Sequence, residues 1–440
     1  MAAGASIRRR VLIVVSAWCP AMIADMQRAR MLAWEMPALG WDVEILTPRA
    51  SEVRQDVVEP DPDGFFAPDT PVHEVGSSAR AVFEALGSRT HSWRTVLPML
   101  REGSELLRSR RFDLVYFTTT TFVYFRLGPY WRRKFGVPFV LDFHDPWLKD
   151  DSTLARGWKS QATRSASARM ERTAVEFAAG IVSVSPHYVA TLERRYGACR
   201  PDWLAPGRHA VIPFGARDED IAEARRRWVA PIANESRDIA IRYVGAGGTI
   251  MARSFRLLCR AIAALRSEGD ATARTARIGL FGTTYNWKPG DATLLENVAR
   301  SVGLSDLVGE HPERVSFRHS LELLLGCDGA LVLGVDDDGY MPSKIFGYAL
   351  PGKPLLASVR RDGPAYAQFE STRGLGHALW FDRDGEMPIH EATNTVGSFL
   401  RECAARRSFD RYRLLEPFLA PAMAQRHADL FDACVTTART

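Results

Sequence analysis

Short, uninterrupted apolar runs alternate with amphipathic stretches along most of this chain. The first run, "RVLIVVS" at 10–16, precedes an amphipathic segment from Met22 to Leu39 that Gly40 ends, and "DVEILT" at 42–47 follows. "DLVYFTT", "VPFVLDF", "GIVSVS" and "AVIPFGA" continue the series to residue 216, with polar or small residues after each run. Strands that are apolar at every position need cover on both faces, and helices between them supply it, which gives a parallel sheet. The series pauses over 217–238, a charged segment containing "RRRWVAPIANES". It resumes with "IAIRYVGAGG", "ARIGLFG", "RVSF", "GALVLG" and "PLLASV". The pattern predicts an α/β chain with two doubly wound sheets. Such sheets bind ligands beyond the carboxyl ends of their strands, so the expected site is the cleft that the two would face. The predicted boundaries are 1–216, 217–405, and 406–440 for a terminal helix that returns to the first domain. Residues 50–79, rich in Pro and Asp and without clean periodicity, are expected as a long loop or lid.

At 440 residues, with 46% apolar and 25% charged positions, the chain has ample material for two globular cores. A net charge of +5 favours anionic partners such as nucleotides or phosphates and does not call for nucleic acid. The six cysteines are scattered, with no C-x-x-C spacing and no histidines grouped near them, so no metal is expected. The run "VLIVVSAW" behind three arginines is too short for a membrane span and reads as a buried strand rather than a signal peptide. The expected location is cytoplasmic. Arginine-rich runs at 8–10, 132–134 and 225–227 leave peripheral contact with an anionic membrane open.

Three segments carry candidate chemistry. In "DDDGYMPSKIFGYALPGKPLLASV" (336–359) a buried strand breaks into an acidic loop, and Pro342 is placed at the first turn of a helix. Free N–H groups at that helix start, with Lys344 beside them, would favour an anion. In "LDFHDPW", Asp142 and His144 alternate onto one face if the strand continues, with Asp145 on the other. His144 could hydrogen-bond a sugar or a phosphate, or act as a base toward a hydroxyl, and Asp145 is the alternative base. In "YVGAGGTIMARSF", Gly245, Gly247 and Gly248 would allow close backbone approach to phosphates. Each has a structural counterpart: a solvated lysine, a satisfied core histidine, a turn after a strand.

Taken in order, these residues carry a family resemblance. "YMPSKIFGYALPGKPLLASV" resembles the Pro-Ser-Lys to Gly-Lys-Pro element of bacterial GT-B glycosyltransferases of family 4. "FDLVYFTTTTFVYFRLGPYWRRKFGVPFVLDFHDPW" and "MQRARMLAWEMPALGWDVEILTP" are similar to segments of their first domain. The resemblance implies a GT-B fold, two Rossmann-like domains facing a central cleft. It also implies transfer of a sugar from a nucleoside diphosphate to a hydroxyl of a glycan, a lipid-linked saccharide or a small molecule, with retention. UDP or GDP is the implied nucleotide, and neither a cofactor nor a metal is needed.

On this resemblance Lys344, Ser343, Arg253, Gly245, Gly247 and Gly248 hold the donor phosphates. Asp337, Asp338, Tyr340, Gly347, Arg318 and Trp287 lie at the sugar and nucleoside, and Arg28, Thr119 and Thr120 on the acceptor side. His144 and Asp145 are the catalytic candidates. The chain departs from the pattern at three points. Gly339 and Gly347 stand where relatives carry two glutamates, and Ala246 stands where they carry an arginine. A degenerate, non-catalytic nucleotide- or glycan-binding protein is therefore the second expectation. An isomerase on the same fold, working through Asp336–Asp338, is the third.

Overall fold

The apolar runs fold as parallel strands. In the computed structural model, which describes residues 8–53, 58–77, 91–148, 158–227, 238–284 and 293–436, the chain divides into two units. The first is Met1–Phe214 with Ala420–Thr440; the second is Gly215–Leu419.

The sheet of the first unit contains β1 (Arg9–Val14), β2 (Trp41–Pro48), β3 (Val72–Val75), β4 (Leu114–Thr118), β5 (Phe139–Phe143), β6 (Gly180–Ser183) and β7 (His209–Val211). Their order is β3-β2-β1-β4-β5-β6-β7, all parallel. Every residue of β4, β5 and β6 is buried, as their unbroken apolar sequences require. The chain builds outward from β1 to β3, then returns to start β4 on the other side of β1. That reversal opens a crevice at the carboxyl ends of β1 and β4.

Part of the segment expected as a lid is instead packed on this unit. β3 pairs with β2 at the sheet edge. Phe65 is fully buried, and its carbonyl accepts a 2.7 Å hydrogen bond from the buried Arg30. The terminal helix is present as Ala420–Thr436 and lies on the same sheet. Its Phe431 has no exposed surface and sits 5.5 Å from the Trp41 ring and 5.1 Å from that of Tyr116.

The second unit holds β8 (Ile239–Val244), β9 (Ala276–Phe281), β10 (Val308–His311), β11 (Gly329–Leu333), β12 (Leu355–Arg360) and β13 (His377–Phe381), in the order β10-β9-β8-β11-β12-β13. The order reverses between β8 and β11. These two strands are paired only at Ile241–Gly329 and Arg242–Ala330, so they part toward their carboxyl ends.

Three expectations are corrected here. "RVSF" is not a strand: Ser316 accepts from the His319 N–H at 3.1 Å and caps helix Phe317–Leu325, while the strand is the earlier "VGEH". The edge strand β13 was not recognised, because "HALWF" is only half-buried. The boundary at 405 moves to 419, since the Phe409 N–H donates to the Gly352 carbonyl at 2.8 Å and Arg411 to that of Lys353 at 2.7 Å.

Phe431→Ala should destabilise the first unit by about 3–5 kcal/mol, the usual cost of emptying a fully buried aromatic site. Urea unfolding followed by tryptophan fluorescence checks this. A loss below about 1 kcal/mol would mean that the terminal helix does not seal this core.

Candidate functional site

In the first unit, donors converge on one carboxylate oxygen. Asp142, on β5, is wholly buried. Its Oδ2 accepts hydrogen bonds from Tyr116 Oη at 2.8 Å, Thr118 Oγ1 at 2.9 Å and His144 Nε2 at 2.6 Å. Arg28, equally buried on helix Ala24–Glu35, brings its Nε to 2.8 Å of the same oxygen. Its NH2 donates to the Ile212 carbonyl at 2.8 Å. Burial would raise the Asp142 carboxyl, but Arg28 and His144 outweigh it and hold it well below the usual carboxylate range. Burial and the neighbouring Asp142 push the Tyr116 hydroxyl well up.

His427, from helix Ala420–Thr436, closes the cluster. Its Nδ1 donates to the Met423 carbonyl at 2.7 Å, and its Nε2 lies 3.1 Å from Tyr116 Oη and 3.4 Å from Arg28 NH1. Tyr116 spends its proton on Asp142, so Arg28 supplies the His427 Nε2. Burial, with Arg28 adjacent, pushes His427 down to about 3, so it is neutral.

At the β1–β4 crevice a second carboxylate gathers the threonines. Asp25 Oδ2 accepts from Ser16 Oγ at 2.5 Å, Thr119 Oγ1 at 3.2 Å, the Thr120 N–H at 3.3 Å and Thr120 Oγ1 at 3.4 Å. The acceptor-side expectation is thereby divided. Thr120 is exposed, Thr119 is buried, and Arg28 is enclosed, with its guanidinium turned to Asp142 and the Ile212 carbonyl. Asp145 is exposed beyond β5.

In the second unit, Lys344 crosses the crevice between β11 and β8. Its Nζ reaches the loop after β8, where a Cβ on Gly245 would lie 1.6 Å from it. Glycine is required at 245 for that passage and for its backbone φ of +139°. The Lys344 ammonium lies 4.9 Å from the centre of the Tyr243 ring and 3.4 Å from its hydroxyl. Among the described residues no carboxylate pairs with it. Burial, then the positive charge of Arg314, pushes it down to about 7. Tyr348 keeps the parted strands satisfied: its hydroxyl accepts from the Val244 N–H at 3.1 Å and donates to the Val244 carbonyl. Sequence reasoning missed Tyr348, Tyr116, His427 and Asp25, whose roles arise where elements far apart in sequence meet.

Several donor-side expectations change. The helix after the Pro-Ser-Lys is only Ile345–Ala349, with Lys344 as its N-cap, so Pro342 lies outside the helix rather than in its first turn. Ser343 is half-buried beside it. The N–H groups of Gly245, Gly247 and Gly248 donate to the Phe281 and Thr283 carbonyls at 2.7–3.0 Å and are not free for phosphate. Arg253 is spent on Asp336 at 2.9 Å and on the Asp382 and Gly385 carbonyls. Asp338 pairs with Arg360 and Arg383, both at 2.8 Å, and Asp337 caps the turn by accepting from the Gly339 N–H at 2.9 Å. Tyr340 packs against the core of the unit, and Arg318 is half-buried in the first turn of helix Phe317–Leu325. A Cβ at Gly347 would meet open space. Trp287 lies outside the described residues.

The arginine runs are largely neutralised: Arg8 by Asp42, Arg9 by Asp432, Arg10 by Glu44, and Arg226 and Arg227 by Glu223. Among the described residues no helix is long and apolar enough to cross a membrane, and no group of three or more potential metal ligands occurs.

Residues 26–215 match the glycosyl transferase 4-like domain family. No curated protein matches the chain by sequence. Among solved structures, HepE of Anabaena in complex with UDP-glucose is similar at 13% identity and a TM-score of 0.60, over 94% of this chain and 97% of that one. The catalytic domain of Arabidopsis thaliana starch synthase IV, bound to ADP and acarbose, is similar at 13% identity and 0.58, over 97% and 99%. The N-terminal domain of Candida albicans trehalose-6-phosphate phosphatase is similar at 12% and 0.62, over 98% of each. The fold is GT-B, and the family match falls on the first unit.

Two outcomes are expected. His427 stays neutral in the folded state down to about pH 3, while the unfolded histidine takes up a proton below about 6.5. Between those values the unfolded state binds more protons, so stability is lost as pH falls, by up to about 1.4 kcal/mol per unit. Urea midpoints at pH 7.5 and 5.0 should fall less for His427→Gln than for the parent; equal falls would remove His427 as the cause. Gly347→Ala should stabilise the second unit by up to about 1 kcal/mol, because alanine favours helix and its methyl meets no neighbour. Thermal unfolding reads this, and a clear loss would place another group against the position.

Proposed function

We propose that this GT-B chain, with its glycosyl transferase 4-like first unit, transfers a sugar from a nucleoside diphosphate to an acceptor hydroxyl. The observation that carries the reading is Lys344. A half-buried ammonium with no carboxylate partner among the described residues lies where the strand order of the second unit reverses, with Arg314 adding positive charge. Unpaired buried charge costs stability, and an anionic ligand would remove that cost. The chemistry needs such a group, because the departing diphosphate gains negative charge in the transition state and a fixed cation stabilises it. HepE, a structural neighbour, binds UDP and UDP-glucose, which makes UDP the first diphosphate to try, with GDP next.

In the first unit His144 supplies the polar atom for a hydroxyl group. Retention of configuration is part of the proposal and follows from the family resemblance alone. The acceptor is a hydroxyl on a glycan, a lipid-linked saccharide or a small molecule, and a cytoplasmic site of action beside a membrane suits any of these.

Calorimetric titration with UDP, GDP, dTDP and ADP tests the donor assignment. One diphosphate should bind selectively, and Lys344→Ala should weaken it about 10- to 100-fold, the loss of one charged hydrogen bond. The pH dependence follows from the sign of the lysine shift. Free Lys344 is charged below about pH 7 and loses its proton above it, so binding at higher pH must first restore that proton. Affinity should fall by up to about tenfold per unit from pH 7 toward 9, with proton uptake seen as a buffer-dependent enthalpy. Both effects should vanish in Lys344→Ala. If the folded parent binds none of the four, the transferase reading fails and the degenerate GT-B reading replaces it.

A further inference from the structure

The converging bonds on Asp142 also fix where the protons of His144 lie. His144 Nε2 faces two oxygens, Asp142 Oδ2 at 2.6 Å and Thr118 Oγ1 at 3.0 Å. The carboxylate has no proton to give, and Thr118 directs its hydroxyl proton to Asp142 at 2.9 Å. Neither neighbour can donate to Nε2, so Nε2 carries a hydrogen. The other ring nitrogen, Nδ1, is buried and has no partner among the described residues. A second proton there would be a buried donor without an acceptor, at a cost of about 1–3 kcal/mol. Among the described residues Asp142 Oδ1 is likewise buried without a hydrogen-bond partner, and the Arg28 Nε, 2.8 Å from Oδ2, is placed as an ion pair rather than an aligned hydrogen bond.

We infer that Asp142, held by Arg28, is a positioning residue that locks His144 in its Nε2–H tautomer, leaving Nδ1 to accept a hydrogen bond from a ligand hydroxyl. A phosphate oxygen brings no proton at neutral pH and would be repelled by the Nδ1 lone pair. The roles therefore separate: Lys344 takes the diphosphate and His144 takes a hydroxyl. The identity of the ligand rests on the transferase reading above; the tautomer does not. The hydroxyl belongs either to the donor sugar or to the acceptor, and binding measurements tell them apart.

The tautomer is read from nitrogen NMR of full-length protein labelled at histidine, with the His144 signals assigned by their loss in His144→Gln. The parent at neutral pH should show protonated Nε2 and bare Nδ1. A ring protonated on Nδ1, alone or in addition, overturns the inference. Asp142→Ala alone would leave Arg28 buried and unpaired, so the second variant is Arg28→Met with Asp142→Leu, which removes both charges together. There the single tautomer should give way to a mixture, and an unchanged Nε2–H signal would deny Asp142 its positioning role.

In the binding arm, His144→Phe should hold the free diphosphate within about twofold of the parent. If the hydroxyl is the donor's, the nucleotide sugar weakens by about three- to tenfold. If it is the acceptor's, nucleotide-sugar affinity stays and turnover falls. Loss of affinity for the free diphosphate, or no change in any readout, overturns the hydroxyl assignment. Failure of the parent to bind any diphosphate sinks the transferase reading while the NMR result still decides the tautomer.

Discussion

Burying the charge of Asp142 at the carboxyl end of β5 obliges the first unit to bring compensation from separate parts of its sequence. Arg28 comes from the first helix, Tyr116 and Thr118 from β4, and His144 from the turn beyond β5. A buried carboxylate alone costs several kcal/mol, and charged hydrogen bonds return about 1.5–3 kcal/mol each, so the set must be nearly complete to be tolerated. This accounts for the return of the chain's last segment. Helix Ala420–Thr436 seats Phe431 on Tyr116 and sets His427 beside Arg28 and Tyr116. The same set holds His144 in place, so the stability requirement also fixes the residue to which the proposal gives a chemical role.

The second unit treats its buried charge differently. Among the described residues Lys344 has an aromatic face and one distant hydroxyl for company, and a second cation near it rather than a paired acid. By the same energetics its charge is a liability that the fold alone does not remove. Asp142 and Lys344 both lie at carboxyl ends of parallel strands, yet only one is compensated from within. On the proposed function, that asymmetry separates a group that holds the fold together from one whose compensation would come from a ligand.

The architecture was legible because parallel strands buried on both faces announce themselves as unbroken apolar runs. β4, β5 and β11 were read that way, and each is buried at every residue. β3 and β13 escaped because edge strands are partly exposed and lose that signal. In the site, the nearness of Asp142 and His144 could be read from their spacing of two, although β5 ends at Phe143 and His144 stands in the turn beyond it. The contacts of Arg28 with Asp142 and of Tyr116 with His427 span hundreds of residues or different elements, and no local pattern encodes them. The phosphate-loop expectation failed for a related reason. Three glycines after a strand look free in sequence, but the adjacent strand end offers carbonyls that take their N–H groups.

The acidic loop after β11 shows how burial ranks residues that look equivalent in sequence. Arg360 is almost enclosed and bonds Asp336, Asp338 and Asp362, which together with Arg253 and Arg383 give three cations against three acids. Asp336 joins Arg360 to Arg253, as Asp338 joins Arg360 to Arg383. Asp337 holds the turn at Gly339. Asp338 is shared between Arg360, which keeps two other acids, and Arg383, whose side chain is 74% exposed. An exposed ion pair is worth at most about 1 kcal/mol, so Asp338 is held chiefly through the almost enclosed Arg360. With both glutamate positions occupied by glycine, the loop's remaining carboxylates are committed to arginines at Asp336 and Asp338 and to the turn at Asp337.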